Sequence, residues 1–245
     1  MPAIFAHRLG RAYGPDSSHQ ALLGSLRGPL DGLETDCCLT ADREIVLLHD
    51  PLLPLATTVS GWAHERTAAQ IRSGRLLDRN GKPTTQRPLL LDELLEHAPP
   101  HQTLQLEIKA HADPLLAANT AKALGERLAD DSARERVELL SFWSGACELA
   151  AGLGFRSRLV TTADYRIDAL TAWAKRVGLH GVCIEYFLLS ASLVASLRHA
   201  GLSVSTGTVN HADALAPLLP LHLDAIASDR PHELRRALAN LPVAA

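Results

Sequence analysis

Between Ala6 and Pro51 four residues stand in a pattern that core packing does not call for: His7 in AHRLG (6–10), Glu34 and Asp36 in LETD (33–36), and His49 in LLHDP (47–51). A second charged patch, LQLEIK (104–109), closes an apolar run with Glu107 and Lys109. Glu34 and Asp36 lie two apart in a segment that reads as a strand, so both side chains leave the same face, and Glu107 and Lys109 repeat the arrangement. Acidic pairs at the end of a buried strand are costly unless a cation satisfies them, and a divalent metal is the usual solution. The three carboxylates Glu34, Asp36 and Glu107 are hard oxygen ligands suited to Mg²⁺ or Ca²⁺, with Mn²⁺ also compatible. Arg8 and Lys109 add the cationic donors expected around a phosphate held by a metal. Two histidines of near-neutral pKa suit a general base and a general acid on either side of a phosphorus. Together these groups read as phosphodiester cleavage.

Each residue also has a plainer reading. Glu34 and Asp36 alone suit a solvated strand end or a salt bridge, and Lys109 suits a simple pair with Glu107. His7 alone suits a core histidine and His49 a turn cap, in a chain with 12 histidines. Their convergence on one rim is what a structural reading does not explain. Cys37 and Cys38 read as packing residues. With Cys147 and Cys183 they form no CxxC pair, which fits a reduced interior.

The elements that must position these groups alternate along the chain. Extended runs are expected at 3–7, 32–40, 103–109, 136–142, 156–162, 180–185, 201–208 and 223–229, with 43–50 as an arm on the second. Helical patterns are expected at 17–28, from about Pro114, and over Ser144–Leu153, Asp168–Val177, Ala191–His199, His211–Leu218 and His232–Ala239. Eight such βα units predict an α/β fold, a (β/α)8 TIM barrel, whose active site sits where the strands end. Every charged residue named above falls there, as do Asn210, a further substrate-binding candidate, and Asp229. Residues 51–90 read as an excursion after the second strand, with a short helix around Thr67–Ser73, inside one domain spanning 1–245. A formal charge of -3 with mixed signs gives no basic field for nucleic acid. Short, proline-broken apolar runs give no membrane anchor, and the first residues, MPAIFAHRLG, lack the pattern of a signal peptide, so a cytoplasmic protein is expected.

His7-Arg8-Leu9, Pro15-Asp16-Ser17-Ser18, Glu34-Thr35-Asp36, His49-Asp50-Pro51 and Leu106-Glu107-Ile108-Lys109 follow one another at sensible spacing. Ser141-Phe142, Thr208-Val209-Asn210 and Ser228-Asp229-Arg230-Pro231 come after them. Through nearly its whole length the chain thereby resembles the glycerophosphodiester phosphodiesterase family, whose members are TIM barrels. The resemblance implies metal-dependent hydrolysis of a small-molecule glycerophosphodiester to glycerol 3-phosphate and an alcohol. It implies His7 and His49 as the acid–base pair, Glu34, Asp36 and Glu107 as metal ligands, and Arg8 and Lys109 as phosphate contacts. It also implies attack by the glycerol 2-hydroxyl, giving a cyclic phosphate that water opens. The chain departs from the family pattern at Leu9, in place of glycine, and at Asp16, Ser17 and Ser18, in place of Glu-Asn-Thr. Gly207 stands where an aromatic precedes Thr-Val-Asn. These departures bear on substrate identity more than on reaction type. Two rival readings use the same site: a phospholipase-D-like lyase that converts lysophospholipids to a cyclic phosphate, and a non-catalytic barrel that binds a phosphodiester or polyol phosphate.

Overall fold

A computed structural model describes residues 1–110, 113–162 and 166–240. Eight parallel strands close on themselves: β1 (Ala3–Ala6), β2 (Gly32–Leu39), β4 (Thr103–Ile108), β5 (Val137–Ser141), β6 (Arg156–Thr161), β7 (Gly181–Ile184), β8 (Ser203–Thr206) and β9 (Ala225–Ser228). β1 pairs with β2 on one side and with β9 on the other, which seals the barrel. β3 (Ile45–Leu47) runs antiparallel to the end of β2, with Cys37 opposite Leu47, and is the arm expected from the sequence. Helices cover the outside: α1 (His19–Ser25), α2 (Ala68–Ser73), α3 (Leu91–His97), α4 (Pro114–Arg127), α5 (Asp131–Glu135), α6 (Ser144–Gly152), α7 (Ile167–Val177), α8 (Ala191–His199) and α9 (Pro231–Asn240).

Strand patterning explains both the core and the site. On β4, Leu104, Leu106 and Ile108 join the large apolar cluster, while Gln105 and Glu107 alternate onto the other face. The register places Gln105 beside Glu34 and Glu107 beside Asp36, so neighbouring strands bring their acidic residues to one face. Deeper in the barrel the interior is also polar. Glu138 on β5 accepts from Gln105 Nε2 at 2.6 Å and from Arg158 Nη2 at 2.9 Å. Arg158 in turn donates to the carbonyls of Val182 (3.0 Å) and Ser203 (3.3 Å). Gly181 makes room for it, since a Cβ there would lie 2.7 Å from Arg158 Nη1.

The caps follow local chemistry. Ser18 accepts from Ala21 N at 3.1 Å to start α1, and Asp113 accepts from Leu115 N and Leu116 N ahead of the Pro114 that opens α4. The helix expected over His211–Leu218 does not form. That stretch holds a 3-10 turn at Ala212–Ala214, and another follows at Leu219–Leu221. Pro217 and Pro220 each remove an N–H donor and keep an α-helix from propagating.

The 51–90 excursion has its own small core of Cys38, Val46, Leu48, Leu53, Ala63, Ile71 and Leu76. The short helix expected there is α2, started by a reciprocal cap between Thr67 and Gln70. Cys37 packs in the main core and Cys38 in this satellite, which accounts for the adjacent pair. Burial pushes both thiols well above their ordinary range. Among the described residues no helix is long and apolar enough to cross a membrane.

Candidate active site

Beyond β1 the chain turns sharply through Arg8 (φ 48°), Leu9 (φ 60°) and Gly10 (φ 93°). Three left-handed residues in a row aim the Arg8 amide at Glu34, which accepts it at 2.8 Å. Leu9 is fully buried, and its carbonyl accepts from Ser25 Oγ at 2.8 Å. Gly10 is demanded by close approach, because a Cβ there would meet Ser25 Oγ at 2.0 Å. Leu9 occupies the position of the family's glycine and takes up the left-handed conformation that glycine adopts freely.

Glu34, Asp36 and Glu107 each present an oxygen within 4.8 Å of the others, and all three are buried. Lys109 Nζ lies 3.0 Å from Asp36 and 2.5 Å from Glu107. Arg8 Nη1 binds Asp16 at 2.7 Å, its Nε lies 3.6 Å from Asp36, and Arg11 Nε reaches the other Asp16 oxygen at 2.8 Å. His7 Nδ1 is 2.7 Å from Asp229 Oδ1, and its Nε2 lies 4.0 Å from Glu34. Asn210 donates to Asp229 Oδ2 at 2.8 Å and accepts the Asp229 amide at 2.9 Å, so it acts on Asp229. His49 Nδ1 is 3.2 Å from Asp50.

Charge follows from this crowding. Burial and the neighbouring Asp36 charge push the Glu34 carboxyl up to about 7. Burial and Asp36 also raise Glu107, against the pull of Lys109. Burial would raise Asp36 too, but Lys109 and Arg8 outweigh it and hold that carboxyl low. Burial works against a charged His7, yet the Asp229 hydrogen bond and the Glu34 charge leave its pKa raised. Burial, with Lys109 and Arg8, lowers His49 against the opposing Asp36.

The residues fit a hard divalent cation. Asp36 Oδ2 is buried with no hydrogen-bond partner among the described residues. Two side-chain cations face three carboxylates, and one of the two, Arg8, is shared with Asp16. Mutual repulsion is relieved only by keeping a proton near neutral pH, which is a cost a bound cation removes.

A cavity of about 660 Å³ opens beside the cluster, between the β1–α1 loop and the excursion. Arg8, Arg11 and Asp16 of the β1–α1 loop line it together with His49, Asp50 and, from the excursion, Arg79. The cluster, both histidines and the cavity together occupy the C-terminal mouth of the barrel. The glycerophosphoryl diester phosphodiesterase family model matches residues 7–233 of this chain.

The chain belongs to that family. It is an enzyme of the phosphoric diester hydrolase class, which sets aside the non-catalytic barrel. A glycerophosphodiester phosphodiesterase from Bacillus altitudinis is 23% identical over 237 residues, covering 94% of this chain and 96% of its own. An Oleispira antarctica phosphodiesterase, solved with the product sn-glycerol-3-phosphate, superposes with TM-score 0.87 at 21% identity, covering 98% of each chain. A Thermotoga maritima glycerophosphodiester phosphodiesterase gives TM-score 0.79 at 16% identity, covering 96% of this chain and 98% of its own. The two structural likenesses speak for the barrel.

The structure brings His7, Arg8, Glu34, Asp36, Glu107 and Lys109 into one contiguous cluster, with His49 across Arg8 and Asn210 behind Asp229. Arg11, in an irregular loop, carried no signal in the sequence; Asp16 and Asp229 were legible as motif and rim residues, but not as the partners of Arg8 and His7. Phe142, half exposed, stands with its ring centre 5.7 Å from Lys109 Nζ. Gly207 packs closely against the neighbouring strand, since a Cβ there would meet Ala227 Cβ at 2.9 Å.

Proposed function

We propose that this chain is a divalent-metal-dependent glycerophosphodiester phosphodiesterase in which His7 and His49 move the protons. The observation that carries the reading is one buried three-carboxylate cluster flanked by histidines from two different βα loops, one of them held by its own carboxylate. Glu34, Asp36 and Glu107 would hold the cation. Bound there, it supplies neutralisation of a non-bridging phosphoryl oxygen, a lower pKa for the attacking hydroxyl, and cancellation of the carboxylate charge that raises His7.

Lys109 and Arg8 would bind the remaining anionic oxygens. With Nδ1 bound to Asp229, His7 turns Nε2 toward the cluster. It takes the proton of the glycerol 2-hydroxyl as that oxygen bonds to phosphorus. His49 lines the cavity, and it protonates the alcohol oxygen as the phosphorus–oxygen bond breaks. An anionic diester between Lys109 and Arg8 offsets the two cations that help keep His49 low, which favours its acid form. Water then opens the cyclic phosphate with the histidines in exchanged roles, leaving glycerol 3-phosphate.

Phe142, Tyr186 and Phe187 leave large apolar surface exposed on the loops after β5 and β7. That surface favours, as a second reading, a lysophospholipid substrate cleaved only as far as the cyclic phosphate. Phosphorus NMR of the product separates a monoester from a cyclic diester.

The test is glycerol 3-phosphate release from a panel of glycerophosphodiesters with Mg²⁺, Mn²⁺ or Ca²⁺, and with EDTA. Release should stop in EDTA, and His7→Ala or His49→Ala should lower kcat by roughly 10²- to 10⁴-fold. Turnover that persists in EDTA would refute the metal. Near wild-type turnover in either variant would refute the proton assignment.

A further inference from the structure

Resting on the phosphodiesterase reading, we propose that the cavity beside Arg8 and His49 is the subsite for the alcohol half of the substrate. It selects an oxygen-rich, non-cationic alcohol (a polyol) over an ammonium alcohol, with Arg79 as a specificity-determining residue. Position gives the first argument. The cavity shares Arg8 and His49 with the phosphate site, so a diester bound at Arg8 must send one ester limb into it. Its volume of about 660 Å³ lies within the range of small-molecule sites and is far larger than a two-carbon amino alcohol needs.

The lining gives the second argument. Each of its carboxylates has at least one partner or close neighbour. Both Asp16 oxygens bind arginines, at 2.7 and 2.8 Å. Asp78 Oδ1 accepts the amides of Asn80 at 2.8 Å and Lys82 at 2.9 Å, and Asp50 lies 3.2 Å from His49. Arg8, Arg11 and Arg79 match the three carboxylates in number, so the described lining holds no net negative charge to greet a cationic headgroup. Donors are plentiful by contrast. Arg79 gives one N–H to the Arg11 carbonyl at 2.8 Å, and its other N–H groups have no protein partner among the described residues. The Asn80 amide lies beside it in the same wall. Recognition of an ammonium group usually takes a cage of aromatic faces. Besides the His49 imidazole, the lining offers among the described residues only Tyr13, which is stacked on His232 with centroids 5.5 Å apart.

The wall that carries Arg79 is built in advance. Leu77 N bonds Ala56 O at 2.9 Å, Asp78 N bonds Lys82 O at 2.8 Å, and Thr84 N bonds Leu76 O at 2.9 Å. The backbone of the tip therefore need not be ordered at the moment of binding.

Steady-state kinetics on glycerophosphoinositol, glycerophosphoglycerol, glycerophosphocholine and glycerophosphoethanolamine, for wild type and Arg79→Ala, test the proposal. The two polyol diesters should exceed the two ammonium diesters in kcat/KM by about tenfold or more, the scale of one charge-assisted hydrogen bond gained. Arg79→Ala should shrink that ratio severalfold, through KM for the polyol diesters and not through kcat. A wild type that prefers the choline or ethanolamine diester overturns the proposal, as does a ratio untouched by Arg79→Ala. Should no member be hydrolysed, the phosphodiesterase reading fails separately. Calorimetric binding of the same four compounds then decides the subsite: a polyol preference that falls with Arg79→Ala supports it, and an indifferent order overturns it.

Discussion

Asp229 reaches His7 from the far end of the chain because β9 is the neighbour of β1, with Ala6 in register with Ser228. One step beyond each strand, the carboxylate and the imidazole meet at 2.7 Å, and Asn210 holds the second carboxylate oxygen. Asp229→Asn should keep the fold and lower kcat by roughly 10²-fold or more with little change in KM, since it offers Nδ1 the wrong partner for the productive tautomer. Steady-state kinetics check this. A second consequence concerns Glu34, whose carboxyl burial and the Asp36 charge push up to about 7. A cation needs the ionised form, so below about pH 7 binding must expel a proton, and affinity should weaken as pH falls through that value. Calorimetric titration of Mg²⁺ or Mn²⁺ across pH 5.5–8.5, in buffers of different ionisation heat, reads both the affinity and the proton released. Flat affinity over that range would mean that Glu34 is not a ligand. The triad was legible because two carboxylates leaving one face of a buried strand repel each other and call for a cation between them. Asp229 was legible as a rim residue but not as the partner of His7, because Ser-Asp-Arg-Pro is also how a helix begins, and α9 does begin at Pro231.

The turn after β1 shows where an element trades conformation against packing. Leu9 at φ 60° carries a left-handed strain of about 1–2 kcal/mol that glycine would not. Its side chain, however, is fully buried, and truncating such a residue costs about 2–5 kcal/mol. The second quantity is larger, so Leu9→Gly should destabilise the protein by about 1–3 kcal/mol in urea unfolding, even though glycine is the family residue. A gain in stability would mean that the turn, and not the packing, dominates. Other elements differ in how plainly they announce themselves. Strand runs bounded by turn residues were readable, as were helices opened by Ser18 or Thr67, whose side chains close the first turn. Residues 211–218 misled because their apolar spacing is helical while Pro217 and Pro220 deny it. α3 lay at the border of the excursion, where the periodic signal fades into a proline-rich approach.

For the molecule as a whole, the barrel interior is polar at two depths. The acidic cluster at the mouth is short of partners. The Glu138–Arg158 pair beneath it is fully satisfied by Gln105, Ser203 and the Val182 carbonyl. Glu138→Ala should cost about 3–5 kcal/mol by stranding the guanidinium, while the double replacement Glu138→Leu/Arg158→Met should recover most of that loss. Chemical denaturation of the three proteins checks the order. This lower layer was invisible in the sequence, since Glu138 and Arg158 sit 20 positions apart and pair only because β5 and β6 are adjacent. The arm formed by β3 carries a different lesson. Val46 bridges Leu90 and Leu47 N bonds Leu89 O at 2.9 Å, so the chain leaves the barrel and comes back at the same spot. A segment anchored at coincident ends can change length or content at little cost to the scaffold, because closure entropy grows only slowly with loop length. The wall bearing Arg79 is thus an interchangeable cassette: grafting a different stretch between Pro51 and Leu89 should redirect headgroup choice while the carboxylates, Lys109, His7 and His49 stay untouched.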